Sequence, residues 1–110
     1  MNEPKEEIYT ILSDLGYTVY QRRPEVISSM PCITFYIADN RILPTLDKDI
    51  AYQQIVAMID IWSNTSAESG EILLAIESAM RGNNYIMDFC ADIEDPDGYS
   101  HISTRFNLVG

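Results

Sequence analysis

The chain has 110 residues, of which 46% are hydrophobic, so it can bury a core without disulfides or metal ions, and we expect residues 1–110 to form a single domain. Its 17 acidic and 7 basic residues give a net charge of -10, and the bases are scattered along the sequence. This charge argues against sequence-specific binding of DNA or RNA, which depends on clustered lysine and arginine side chains.

The cysteines and the apolar runs indicate the compartment. Cys32 and Cys90 both fall inside predicted strands, which favours unpaired, buried thiols in a reducing environment. No apolar run approaches the roughly 20 residues that span a bilayer, and the polar start lacks the features of a secretory signal. We therefore expect a soluble, cytoplasmic protein that does not enter a membrane.

The first predicted element is a helix over residues 4–15. Asn2 or Glu3 can cap it, and Pro4 occupies a position where the missing N–H costs nothing. Gly16 is a natural left-handed stop. The apolar stripe of this helix consists of Ile8, Ile11, Leu12 and Leu15.

Three strands are predicted next, over residues 18–22, from Cys32 to near Asn40, and over residues 50–64. The third is the longest, and its side chains alternate between an aliphatic face and a face that mixes large apolar groups with an acid. The aliphatic face comprises Ile55, Ala57, Ile59 and Ile61, and the mixed face comprises Val56, Met58, Asp60 and Trp62. The aliphatic face must be covered by another element.

The connection between the second and third strands, residues 41–49, is longer than an ordinary hairpin loop. It carries Ile42, Leu43 and Leu46 around Pro44. Two interpretations remain open. One or two of these side chains cap the end of the sheet, or the segment is an arm that buries them against another molecule.

A second helix is predicted after Asn64, because Thr65 and Glu68 stand at capping-box spacing and Gly82 can end the helix. Its apolar stripe consists of Ile72, Leu73, Ile76, Ala79 and Met80. This helix is the expected cover for the aliphatic face of the long strand.

Two final strands are predicted over residues 85–94 and 101–109. In the first, the apolar side chains alternate with Asp88, Cys90, Asp92 and Glu94. If the two apolar faces align, the acids lie beside His101 and Arg105. The core-facing set is then Met87, Phe89, Ala91 and Ile93 together with Ile102, Thr104, Phe106 and Leu108.

The order of elements, α-β-β-β-α-β-β, predicts an α+β fold in which two helices pack on one face of a mostly antiparallel sheet. No catalytic, cofactor or metal site is predicted. The single histidine, His101, could pair with Asp92 or Glu94, but a charged cross-strand ladder is the simpler interpretation. We accordingly expect no enzyme activity, no cofactor and no small-molecule substrate.

Several stretches together resemble a known family. They are PCITFYIADN, IDIWSN, the helix that ends in AMRGNNY, and DIEDPDGYSHISTRFNLV, which extend from Pro31 to the C-terminus. In their order and spacing they resemble the small phage and prophage proteins called tail terminators, tail completion proteins or tail-to-head joining proteins of long-tailed phages. The matching positions include Ile33, Tyr36, Asp60, Ile61, Trp62, Ser63, Met80, His101, Arg105 and Phe106.

This resemblance implies an α+β protomer that assembles into a ring, commonly of six, at the end of the tail tube. The implied partners are further copies of the chain, the tail-tube protein and the head-connector protein, with DNA passing through the ring. Such a protein assembles in the bacterial cytoplasm and ends in the virion at the head–tail junction. The resemblance brings no catalytic residues.

We predict that contacts between subunits or with partners use Ile42, Leu43 and Leu46 of the arm together with Met58 and Trp62 of the long strand. Two other hypotheses remain. The net charge of -10 would also suit an acidic prophage protein that mimics DNA and inhibits a host protein, which predicts acids in spaced rows. A small enzyme using His101 would require a cleft around that side chain.

Overall fold

Two helices and five strands follow one another in the predicted order. The computed structural model describes residues 3–22, 30–44, 51–94 and 97–109. The elements are α1 (Pro4–Ser13), β1 (Thr18–Gln21), β2 (Cys32–Pro44), β3 (Ala51–Ser63), α2 (Ser66–Arg81), β4 (Ile86–Glu94) and β5 (Ser100–Val109).

The five strands form one sheet in the spatial order β1-β2-β3-β5-β4. β1 runs parallel to β2, and every other neighbouring pair is antiparallel. β3 therefore lies at the centre, and its two hydrogen-bonded edges are occupied by β2 and β5. The α+β class and the mostly antiparallel sheet are confirmed.

Helix α1 begins as predicted but is shorter. Glu3 is the N-cap, and its side chain accepts a hydrogen bond from the Lys5 backbone N–H at 3.4 Å. The helix ends at Ser13 rather than at residue 15, and Gly16 has a φ of 91°, the left-handed conformation that glycine adopts without strain. Ile8 and Leu12 are fully buried.

Helix α2 has the predicted start. The Glu68 N–H donates to Thr65 Oγ1 at 3.1 Å, which satisfies one of the free donors of the first turn. The helix ends at Arg81, and Gly82 keeps a right-handed φ of -62°. The left-handed residue is instead Asn84, with a φ of 71°, so the chain reverses two residues later than glycine suggested.

Both helices pack on the same face of the sheet, which we call the helix-side face. This face carries the aliphatic residues of β3, as predicted, and the core between it and the helices is closed. Each large apolar side chain buried there contributes about 1.5 to 3 kcal/mol relative to exposure. The core includes Ile33, Phe35, Ile59, Ile61, Ile72, Ile76, Met80, Tyr85 and Phe106.

The hairpin between β2 and β3 differs from the prediction. We expected β2 to end near Asn40, but it continues to Pro44, which pairs with Ala51 across the hairpin. β5 pairs with β3 only as far as Gln54, so the last three pairs of the hairpin extend beyond β5. We call these residues, 42–44 and 51–53, the arm. Residues 45–50, which include Leu46, lie outside the described residues.

The second difference lies in β4. Its register against β5 shifts between Met87 and Phe89, so that Asp88 forms a bulge. Met87 lies opposite Phe106 on the helix-side face, as predicted, but Phe89 lies opposite Arg105 on the other face. The prediction that Phe89, Ala91 and Ile93 face the core is therefore wrong, because one extra residue reverses the alternation of every following side chain.

The same bulge moves Cys90 to the other face of the sheet. Cys90 lies on the helix-side face at the edge of the sheet, and it is exposed, contrary to the prediction that both thiols are buried. Cys32 is buried, and burial raises the pKa of its thiol. Both thiols are free.

Candidate interaction surface

The face of the sheet opposite the helices, which we call the outer face, brings together side chains from four strands. Residues paired across antiparallel strands share a face, so the pairing register gives the rows directly. Within the described residues, no second layer of helices or strands covers these rows. One row holds Cys32, Trp62, His101 and Ile93; the next holds Thr34, Asp60, Ser103 and Ala91; the third holds Tyr36, Met58, Arg105 and Phe89.

Trp62 is held inside the protomer. Its indole Nε1–H donates to Thr34 Oγ1 at 3.0 Å, and its ring stacks on the His101 imidazole with centroids 3.7 Å apart and planes 15° apart. Only 3% of Trp62 is exposed. The predicted contact of Trp62 with another subunit stays a prediction, and within the protomer Thr34 and His101 contact its ring.

His101 pairs with Asp60 and not with Asp92. Its Nε2 lies 3.6 Å from Asp60 Oδ2, whereas Asp92 lies opposite Ile102 on the helix-side face. The side chain of Glu94 lies outside the described residues. Our prediction placed the acids of β4 beside His101, and the bulge at Asp88 is the reason that it is wrong for Asp92.

The Asp60–His101 pair is largely enclosed. Asp60 Oδ1 and His101 Nε2 are buried and have no hydrogen-bond partner among the described residues. Because Nε2 is inaccessible, a substrate cannot reach this atom in the geometry that proton transfer requires. A shallow depression of about 610 Å³ lies beside His101, and Asn64 and Tyr99 also line it.

Arg105 is placed as predicted, beside an acid of β4. Its Nε donates to Asp88 Oδ1 at 2.7 Å, and Asn107 donates to the other oxygen of the same carboxylate. The guanidinium also lies over the Phe89 ring, 5.8 Å from its centroid. The bulge residue therefore neutralises the cation at this edge of the outer face.

Around the enclosed centre, the outer face exposes large apolar groups. Tyr36 is 41% exposed, Phe89 44% and Ile93 43%, while Met58 is half-buried between them. A solvated sheet face would carry polar side chains at these positions. The pattern is instead typical of a surface that contacts another protein.

The arm adds a separate exposed apolar group. Ile42 pairs with Gln53 and is 54% exposed, because the helices do not extend over this part of the hairpin. The backbone of Leu43 pairs with that of Tyr52, but the Leu43 side chain lies outside the described residues. Both strands of the hairpin are tied together at the base of the arm, where Gln53 Nε2 donates to Asn40 Oδ1 at 2.9 Å.

The sequence did not reveal the roles of Tyr36, Phe89 and Ile93. Tyr36 was placed on a strand, but nothing indicated which of its faces would stay open. Phe89 and Ile93 alternate with acids in either register, so the pattern alone is equally consistent with both faces. Only the pairing of β4 with β5 places them on the outer face.

The described acids do not form rows. They occupy both helices and both faces of the sheet, and three of them pair with arginines. A dispersed arrangement of this kind does not reproduce the regular spacing of a phosphate backbone. The pairs are Asp39 with Arg41, Glu77 with Arg81 and Asp88 with Arg105.

Metal ligands and membrane-spanning helices also bear on the class of site. Within residues 3–22, 30–44, 51–94 and 97–109, no group of three or more His, Cys, Asp or Glu side chains is placed to hold a metal ion. None of the described helices combines the length and the apolar character needed to cross a membrane.

Comparison with solved structures identifies relatives of the fold. A chain of the virion of the native gene transfer agent (GTA) particle superposes with a TM-score of 0.66 at 12% identity, over 93% of this chain and 90% of that chain. The chain shares the fold of a virion component. The gp17 protein of bacteriophage SPP1 superposes with a TM-score of 0.51 at 17% identity, over 94% of this chain and 87% of that one.

The sequence comparisons gave no such relatives. No protein-family model matches the chain, and no curated protein matches it. At 12% and 17% identity the structural likeness establishes the fold over nearly the whole chain. It agrees with the α+β protomer that the resemblance to phage tail proteins implied.

Proposed function

We propose that this protein is a structural protomer of phage or prophage tail completion, which forms a ring at the end of the tail tube and joins it to the head. The observation that carries the proposal is the match of nearly the whole chain, 93%, to nearly the whole of a virion chain. The order of the sequence stretches described above points to the same class independently.

The surfaces of the protomer support an assembling protein. The outer face and the arm expose apolar groups that no described element covers. In the proposed ring, Ile42, Leu43, Leu46 and Met58 make contacts between subunits or with the tail tube. Trp62 takes a supporting role, because it stacks under the outer face rather than protruding from it.

The partners of the proposed ring are further copies of this chain, the tail-tube protein and the head-connector protein. Assembly takes place in the bacterial cytoplasm, and the finished protein lies at the head–tail junction of the virion. The role needs no cofactor and no catalytic group. The inaccessible Nε2 of His101 supports a non-enzymatic function.

The DNA-mimic hypothesis is less well supported. It predicts spaced rows of acids, whereas the described acids are distributed over all sides and several are paired with arginine. The enzyme hypothesis predicts an accessible His101, and its reactive nitrogen is enclosed.

Light scattering of the purified protein, alone and mixed with the tail-tube protein of the same phage genome, tests the proposal. We expect a ring mass in at least the mixture, and electron microscopy should show the protein at one end of the tubes. A protein that stays monomeric and never joins tube ends would contradict the proposal.

Substitutions in the hairpin between β2 and β3 refine the same assay. In the proposed contact, Leu43→Asp and Leu46→Asp each place a charge against another molecule, so they should weaken assembly while the thermal unfolding midpoint stays within a few degrees of the wild type. Leu74→Asp is the matched control, since Leu74 is 72% exposed on α2, away from the outer face. A large fall in the midpoint would instead place Leu43 and Leu46 in the core.

A further inference from the structure

Among the described residues, no helix or strand covers the outer face or pairs with the edges of the arm, and these two surfaces differ in shape. The outer face is a broad surface with Met58 and Arg105 at the centre of one row and Tyr36 and Phe89 at its two ends. The arm is a narrow two-stranded ribbon that exposes Ile42. An isolated two-stranded ribbon is only marginally stable in water, so the arm gains most from contact with another surface.

From these two surfaces we infer that the arm of one protomer docks on the outer face of the next copy of this chain. The inference rests on the proposed ring and names the contact that closes it. Because the two contacting surfaces differ, each protomer uses its arm on one side and its outer face on the other. A contact of this kind generates a ring when the rotation between copies closes.

Charge is the first argument for a second copy as the occupant. The chain has a net charge of -10, so most approaches between two copies are repulsive. The arm carries little of this charge, because the tip that joins its strands has two acids and one base and the six residues of the arm itself, Ile42, Leu43, Pro44, Ala51, Tyr52 and Gln53, are all uncharged.

The outer face also carries little exposed charge. Arg105 is paired with Asp88 at 2.7 Å, and the Asp60 carboxylate is partly buried. Contact between the arm and the outer face therefore brings together two surfaces of an acidic protein that carry little net charge. A basic partner or a nucleic acid would find no charge complement there.

Size is the second argument. Three residue pairs span about 10 Å along the arm, and the outer face is about 14 Å wide across its four strands. The arm can therefore lie along the row from Tyr36 to Phe89, and such a contact covers the Arg105–Asp88 pair of one protomer. Packing of two outer faces against each other would bury two of these pairs, each about 40% exposed in the protomer, at a larger desolvation cost.

The base of the arm is held together by side chains. The hydrogen bonds from Gln53 Nε2 to Asn40 Oδ1 and from Arg41 Nε to Gln54 Oε1 connect its two strands there. Residues that are held in place in this way lose less conformational entropy on association.

Mixing two variants tests the contact. Ile42→Asp damages the arm and Phe89→Asp damages the outer face, and each is expected to raise the Kd of self-association at least about tenfold. In an equimolar mixture, the intact arm of the Phe89→Asp protein can still dock on the intact face of the Ile42→Asp protein. Propagation stops there, so native mass spectrometry at high micromolar concentration should show a one-to-one heterodimer.

Two controls keep the result interpretable. Leu74→Asp should assemble as the wild type does, because it places the same charge on α2, away from the arm and the outer face. Ile93→Asp, at a second position of the outer face, should behave as Phe89→Asp does, and circular dichroism should confirm that each variant is folded.

The other outcomes overturn the inference. Rings formed by either single variant would exclude the contact but leave the proposed function standing. Dimers of the Ile42→Asp protein alone would indicate packing of two outer faces. A mixture that stays monomeric would mean that the occupant is another protein, such as the tail-tube protein, and binding to tube ends tests the proposed function separately.

Discussion

The two faces of the sheet differ in burial, although the same strands build both. Along β3, Ile59 and Ile61 are fully buried under the helices, while their neighbours Met58 and Asp60 are half-buried on the outer face. The same thirteen-residue strand therefore belongs to a closed core on one side and to an open surface on the other. Closure by α1 and α2 is what distinguishes the two sides.

This difference indicates how stability and assembly are separated in the protomer. The helix-side face contributes most of the buried apolar surface, so it determines whether the chain folds. On the outer face, the rings of Trp62 and His101 stack on each other, while Tyr36 and Phe89 stay exposed. Changes on this side should alter contacts with other molecules more than they alter folding.

The largest expected contrast is between two adjacent residues. Ile59→Ala should lower the free energy of unfolding by about 2 to 5 kcal/mol, because it leaves a cavity in the closed core. Met58→Ala should lower it by only about 1 kcal/mol, because the methionine is half-exposed. Urea unfolding at a concentration where the protein is monomeric measures both. Equal losses would mean that both faces are closed in the free protomer.

A smaller loss of stability is expected when the hydrogen bond of Trp62 is removed. Trp62→Phe removes the donor to Thr34 Oγ1 and leaves that buried oxygen without its indole partner. Thermal or urea unfolding should show a loss of about 1 to 2 kcal/mol. Adding Thr34→Val removes the unpaired oxygen and should recover part of the loss. A double variant that is additively worse would contradict the assigned hydrogen bond.

The smallest perturbation uses the two cysteines. A maleimide at neutral pH should label Cys90 quickly and Cys32 slowly, because Cys90 is exposed whereas burial both hides the Cys32 thiol and raises its pKa. Mass spectrometry of the labelled protein follows the reaction, and Cys90→Ser is the control. Two thiols that react at one rate would contradict the burial of Cys32 and the exposure of Cys90.

Much of the fold could be predicted because its signals are local. The capping contact between Thr65 and Glu68, the left-handed Gly16 and the aliphatic face of β3 all follow from nearby residues, and each is present in the structure. The extension of β2 to Pro44 could not be predicted in this way. Proline is usual at the end of an edge strand, so the sequence allowed the strand to stop earlier or to continue.

Which of the predicted residues contact another molecule stays a prediction, but their exposure in the protomer is known for two of them. Ile42 is exposed on the arm and Trp62 is enclosed under the outer face. Whether an aromatic side chain protrudes or lies flat depends on its neighbours across the sheet, here Thr34 and His101. Those neighbours are 28 and 39 positions away in the chain, so no periodicity in a single strand contains them.

The sequence by itself determined the order of elements, the layer of helices and the face of β3 that they cover, because hydrophobic periodicity and capping act over a few residues. Tertiary structure alone decided which side chains occupy the outer face. The bulge at Asp88 reverses the side chains of β4 that follow it, and its position is set by the pairing with Arg105 and Asn107 across the sheet. A shift of one residue in register leaves the local pattern unchanged but moves Phe89 and Ile93 from the expected core to the surface that we propose for assembly.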